Sequence, residues 1–154
     1  MNDKQRIESN LVVITERAPD VVGRFYTKLF ARHPDLQPLF GRRSRPAQEK
    51  MVLDAIVAVV DHMEDPNWLR GVLRPLGAKH VSYGVTEGMY PLVAEALVAT
   101  LADASGEAWS EDIESAWLRA LGAVAGEMIA GAREAVDSEA VSTARVHAPP
   151  PSQA

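Results

Sequence analysis

Phe25-Tyr26-Thr27-Lys28-Leu29-Phe30-Ala31-Arg32-His33-Pro34-Asp35-Leu36-Gln37-Pro38-Leu39-Phe40 is the stretch on which the fold turns. Its first half sets Phe25, Tyr26, Leu29 and Phe30, with Val22 before them, along one side of a helix, because positions three and four apart share a helical face. Its second half cannot continue that helix. Pro34 and Pro38 lack the amide donor and leave room only for a short helical turn. A simple four-helix bundle wants fewer, longer helices joined by short loops, and this stretch does not suit it.

Helical periodicity extends in both directions from there, and convincing period-two strands are absent. Upstream, Ile7, Leu11 and Ile14 predict an amphipathic helix over about 3–17, which Ala18-Pro19-Asp20 breaks before the helix of about 19–32. Downstream, 41–45 reads as a loop, and Ser44 or Arg45 ahead of Pro46 opens a helix with Gln48, Val52, Ala55, Ile56, Val59 and Met63 on one face. Glu64-Asp65-Pro66-Asn67 ends it. Tyr90, Val93, Ala94, Leu97 and Leu101 predict a helix over about 88–102, with Pro91 tolerated in its first turn. After a loop at 104–106, Ser110 caps a last helix that carries Ile113, Trp117, Ala120, Leu121, Val124 and Met128 inward and is expected to fade by about 136. Residues 138–154, with prolines at 149–151, read as a disordered tail behind a single domain of 1–137. The expected class is all-α, six to seven helices of unequal length with irregular joints.

Bulk composition narrows the chemistry. The 154 residues are long enough for one sizeable core. A net charge of −5 argues against general nucleic-acid binding, which wants a basic footprint. No apolar run approaches the roughly 20 residues of a membrane span. The start, MNDKQRIESN, has no apolar core after a basic opening, so the cytoplasm is the expected location. The count of cysteines is 0, which excludes disulfides, thiolate ligation, iron–sulfur clusters and CxxCH attachment of haem. Any metal must find its protein ligands among His, Asp, Glu, Tyr and Met.

Among those, His80 lies within Leu73-Arg74-Pro75-Leu76-Gly77-Ala78-Lys79-His80-Val81-Ser82-Tyr83-Gly84. Leu69, Val72 or Leu73, Leu76 and His80 recur at helical spacing, so His80 continues an apolar stripe. Pro75 is expected to open a fresh, short helix and Gly84 to close it. Taken alone, a histidine on an apolar face is more often packed core than ligand. His33, His62 and His147 read as surface residues, and Arg42, Arg43 and Arg45 as a solvated loop.

Phe25 to Phe40 resembles, almost position for position, the FY-x-x-LF-x-x-HP-x-x-x-PLF signature of bacterial single-domain haemoglobins and of the globin module of flavohaemoglobins. Gln48, Leu76 with Lys79-His80, Gly84-Val85, Tyr90-Pro91 and Trp117 follow at family-like spacing, so the resemblance covers about residues 3–135. It implies a globin fold around a non-covalent b-type haem whose iron takes His80 as its proximal ligand. It further implies that Phe40 packs on the porphyrin and that Leu76 lies among the haem contacts. Tyr26 and Gln48 would be hydrogen-bond donors on the distal side, where Val52 closes the pocket. Tyr90 resembles the tyrosine that supports the axial histidine. The glutamate that joins that tyrosine in the family falls, counted without gaps, on Ala132; Glu134 lies roughly 200° around the helix from it. Leu121 also stands where some relatives carry a tyrosine.

Three functions compete on this reading. The first is reversible oxygen binding for storage or delivery, with nitric oxide and carbon monoxide as further ligands. The second is nitric-oxide dioxygenation, which needs electrons; no GxGxxG or similar nucleotide motif is present, so a separate reductase is expected to supply them. The third is gas sensing. The incomplete relay behind His80 favours oxygen binding, and either a monomer or a homodimer is compatible with the sequence.

Overall fold

A computed structural model describes residues 1–40 and 44–147, the last seven of these by backbone alone. Six α-helices and two 3-10 turns follow in order: α1 (Asp3–Arg17), α2 (Val21–Arg32), a 3-10 turn (Pro34–Phe40), α3 (Arg45–Asp61), α4 (Pro66–Ser82), α5 (Met89–Ser105), a 3-10 turn (Gly106–Ala108) and α6 (Glu111–His147). No strand occurs among the described residues, and none of their helices is long and apolar enough to cross a membrane.

Local chemistry sets the helix starts. Asn2 accepts from the Gln5 amide at 2.9 Å while the Gln5 side chain accepts from the Asn2 amide at 3.0 Å, a reciprocal cap that satisfies two otherwise orphaned donors. Ser44, rather than Arg45, caps α3 ahead of Pro46. Asp65 accepts from the Trp68 amide at 3.1 Å with Pro66 in the first turn of α4. Ser110 does the same for Ile113 at the head of α6.

The main core joins α1, α2, α5 and the first half of α6. Ile7, Ile14, Phe25, Leu29, Leu36, Ala96, Leu97, Leu101 and Trp117 are buried together there. Each fully buried large side chain of this kind contributes about 1.5–3 kcal/mol. A polar knot crosses the same core: Trp117 Nε1 donates to Asn10 Oδ1 at 2.9 Å, and Asn10 Nδ2 donates to Ser105 Oγ at 2.9 Å. Ser105 Oγ in turn donates to the Leu101 carbonyl at 2.7 Å, so every buried polar atom of the knot has a partner.

Two elements differ from the expectation. The His80 segment is not a short helix opened at Pro75; α4 is one helix of 17 residues that runs through Pro75. Proline there removes the bond to the Gly71 carbonyl. The helix survives because it packs along α6. The last helix does not fade by about 136 but continues to His147. Residues 137–147, with Ala, Glu and Arg among them and no proline or glycine, hold a helix without an apolar stripe. The proline run at 149–151 lies outside the described residues, as do Arg42 and Arg43.

The α4–α6 contact is a backbone crossing. A Cβ on Gly77 would collide with the Met128 carbonyl, and one on Gly131 with the Arg74 carbonyl. Glycine at both places lets the two helices approach more closely than side chains allow. Leu73 and Met128 are buried beside this crossing but belong to no part of the main core cluster.

Candidate functional site

Tyr26 is the most enclosed functional group, 1% exposed on the inner face of α2. Three phenylalanines surround it. Phe25 lies with its ring centre 5.2 Å away, Phe30 stacks at 5.6 Å, and Phe40 meets it edge-on at 5.3 Å and 70°. The proline-bound turn thus does a specific job: it swings Phe40 back from the end of α2 onto the Tyr26 ring.

Across from this cluster, α3 brings Gln48 within 3.2 Å of the phenol, the amide nitrogen donating to the Tyr26 oxygen. The phenol oxygen is then an acceptor for Gln48 and keeps its own proton for a further acceptor. Burial pushes the Tyr26 pKa above the tyrosine norm, while the Gln48 bond and the Arg45 charge pull it partly back. At neutral pH the group is a protonated donor. Val52, one turn beyond Gln48, is half-buried and packs against the main core, as do Leu39, Phe40 and Ile56.

His80 sits near the end of α4, half-buried, with Leu76 half-buried one turn before it. Its Nδ1 lies 2.7 Å from the Leu76 carbonyl. A carbonyl only accepts, so Nδ1 must carry the proton, and in the neutral ring Nε2 then keeps a free lone pair. This neutral tautomer is the ligating form of imidazole. Gly84, in the left-handed region at φ 89, then turns the chain; a Cβ there would lie 3.4 Å from the Leu39 side chain. The end of the His80 helix therefore touches the turn that carries Phe40.

Behind His80 the arrangement departs from expectation. The ring that meets His80 is Tyr83, edge-on at 5.6 Å, three residues on at the C-cap of α4. Tyr90 makes no ring contact with His80 among the described residues. Its position near the start of α5 half-buries it, and burial alone raises its pKa, with no side chain among the described residues hydrogen-bonded to its hydroxyl. Ala132 brings no carboxylate. Glu134 is held elsewhere, on Arg74 at 3.1 Å, where Glu127 joins it at 2.9 Å.

Several features were not singled out from the sequence. Arg45 is the first residue of α3, not a loop cation; it donates to Glu49 at 2.8 Å and to the Gly23 carbonyl at 3.0 Å. The surface groove it shares with Asp20, Arg24, Thr27 and Lys28 is a solvated face of paired charges, Arg24 with Asp20 and Lys28 with Asp103. His62 is no simple surface residue, since its ring stacks on Trp68 at 3.7 Å. Gly77 and Gly131 carried a usable signal: glycine inside a helix costs about 1 kcal/mol relative to alanine, so its presence asks for a close approach.

The model of the Globin family matches residues 23–128. A Rhizobium meliloti protein named flavohemoprotein is 31% identical over 130 residues, 83% of this chain and 32% of that protein; the chain thus spans about a third of that relative's length. The bacterial globin of Campylobacter jejuni superposes with a TM-score of 0.75 at 23% identity, covering 88% of this chain and 97% of that one. The flavohemoglobin of Malassezia yamatoensis, solved with bound FAD and heme, superposes with a TM-score of 0.71 at 27% identity, covering 86% of this chain and 36% of its own.

Proposed function

Because this chain belongs to the globin family, we propose that it holds a non-covalent b-type haem and uses it to bind oxygen reversibly. The observation that carries this reading is the His80 imidazole, whose Nδ1 proton is tied to Leu76 so that Nε2 presents a lone pair. The residues fit the group. No set of three or more His, Asp or Glu among the described residues could hold a metal ion unaided, whereas one imidazole suffices for a metal whose other ligands come from a macrocycle. Phe40, Val52, Ile56 and Leu76 are apolar side chains left half-buried, which suits contact with a flat apolar cofactor.

When bound, haem would supply an iron that can accept the His80 imidazole and a diatomic gas. The chain's residues do the rest. His80 anchors and orients from below. Tyr26 keeps a proton available for a ligand's partly negative outer atom, and Gln48 holds that phenol in place while adding a second donor. Such hydrogen bonds lengthen the stay of oxygen more than that of carbon monoxide, which carries less charge. Phe40 and Val52 exclude water.

Nitric-oxide dioxygenation is the alternative, supported by the likeness to a flavohemoprotein, and a reductase is the partner it requires. The back of His80 favours binding over turnover: Tyr90 has no carboxylate partner, and Glu134 is engaged by Arg74. We place the protein in the cytoplasm as a monomer or homodimer, in keeping with its cysteine-free composition.

Absorption spectroscopy tests the reading. One equivalent of hemin should give a Soret band that shifts under oxygen and under carbon monoxide after reduction. His80→Ala should lose the haem or alter its spectrum. A protein that gives no Soret band with added hemin sinks both haem functions. Mixing the oxygenated protein with nitric oxide and a reductase separates a single stoichiometric reaction, expected here, from sustained nitrate production.

A further inference from the structure

The head of α3 is poorly anchored for an element that carries a functional donor. From Arg45 to Asp54 none of its residues is fully buried, so no core side chain fixes where Gln48 stands; the nearest apolar contacts with the core are those of the half-buried Val52 and Leu53 beyond it. Polar contacts to α2 take that role. Gln48 reaches Tyr26, and three residues earlier Arg45 spans the same gap. Its Nη2 donates to the Gly23 carbonyl at 3.0 Å, its Nε to Glu49 at 2.8 Å, and its guanidinium carbon lies 5.1 Å from the centre of the Tyr26 ring. Glu49 closes the arrangement from the other side, because its carboxylate oxygen comes within 3.0 Å of where a Cβ on Gly23 would sit. Only a planar fork with several donors can serve a carboxylate, a carbonyl and a ring face at once.

We infer that Arg45 is a positioning residue for the distal pair: its guanidinium latches the head of α3 to α2 and thereby sets how long a diatomic ligand stays under Tyr26 and Gln48. The inference rests on the haem-binding reading for its consequence but not for its geometry. Arg45 touches no ligand; it acts through Tyr26 and Gln48. Its side chain is 47% exposed, so the latch is open to screening by salt. An ordinary surface ion pair would have little effect anywhere. This one spans the joint between two helices beside the Gln48–Tyr26 hydrogen bond.

The test uses the full chain. Oxygen dissociation is followed after rapid mixing with carbon monoxide for the wild type, Arg45→Gln, Arg45→Lys, Tyr26→Phe and Tyr26→Phe/Arg45→Gln. Arg45→Gln should speed dissociation about fivefold, the scale of one lost hydrogen bond. Arg45→Lys should resemble it, since a point charge cannot bridge the same acceptors. In the Tyr26→Phe background the same change should add less than twofold, which a merely structural role would not produce. A second readout needs no haem. Isotope-labelled tyrosine NMR, with Tyr26 assigned by its loss in Tyr26→Phe, should show the phenol titrating at higher pH in Arg45→Gln, because a cation that favours the phenolate is gone. An unchanged dissociation rate, or an equal acceleration in both backgrounds, overturns the latch. So does an unmoved phenol. Absence of any oxygen complex in the wild type would instead overturn the haem reading, while the phenol titration still decides the latch.

Discussion

The two sides of the site are held by different means. Tyr26 and Gln48 owe their places to side chains: three phenylalanine rings, one amide–phenol bond and a guanidinium bridging two helices. His80 owes its place to main chain, a carbonyl at 2.7 Å and a helix pressed backbone to backbone on α6 through Gly77 and Gly131. Side-chain contacts can be adjusted one at a time, and each adjustment changes how a ligand is held. A backbone crossing admits no such gradation. On the proposed reading, the face that would tune ligand binding is adjustable and the face that would anchor the haem is stiff.

The harshest way to break that contrast is Gly77→Val. Its β-carbon would meet the Met128 carbonyl, and overpacking against main chain should cost about 3 kcal/mol or more, read as a lower urea midpoint and lost haem retention. Near wild-type stability would show that the crossing can spread and is not the anchor. Tyr26→Phe should keep haem and fold yet speed oxygen dissociation about tenfold or more, the scale of a hydrogen bond to a partly charged group. An unchanged rate would reject Tyr26 as the donor and blur the contrast from the other side. Glu134→Gln should do least. Removing half of a partly exposed pairing with Arg74 costs at most about 1 kcal/mol, and the haem spectrum should not move. A spectral change would mean that Glu134 reaches the proximal side after all.

The fold was legible where the sequence carries local punctuation. Pro19, Pro34 and Pro46 each stop or start an element at a position that chain stereochemistry dictates, and the signature from Phe25 to Phe40 did the rest. Pro75 misled by the same rule, because tertiary packing on α6 outweighs a lost helical bond. The end of α6 was hidden for a related reason: a solvated helix needs no apolar stripe, and its absence is not a stop signal. Tyr26, Gln48, Phe40 and His80 were candidates through the resemblance to the family signature, but the contacts of Arg45 could not be read that way. Its role depends on Gly23, 22 residues earlier, being the place where α3 crosses α2. Likewise the ring beside His80 is its helical neighbour Tyr83 and not Tyr90, a choice that depends on side-chain direction within one turn.

The knot of Asn10, Ser105 and Trp117 bears on something other than ligand binding. Greasy surfaces are forgiving, and α1 could slide by a turn against α5 and α6 while still covering most of its apolar stripe. Such a slip would strand the Trp117 indole N–H and both ends of the Asn10 amide in the interior, at about 1–3 kcal/mol for each unpaired group. Three polar side chains in a mainly apolar interior thus act as an index mark, admitting one alignment of the helices and penalising its neighbours.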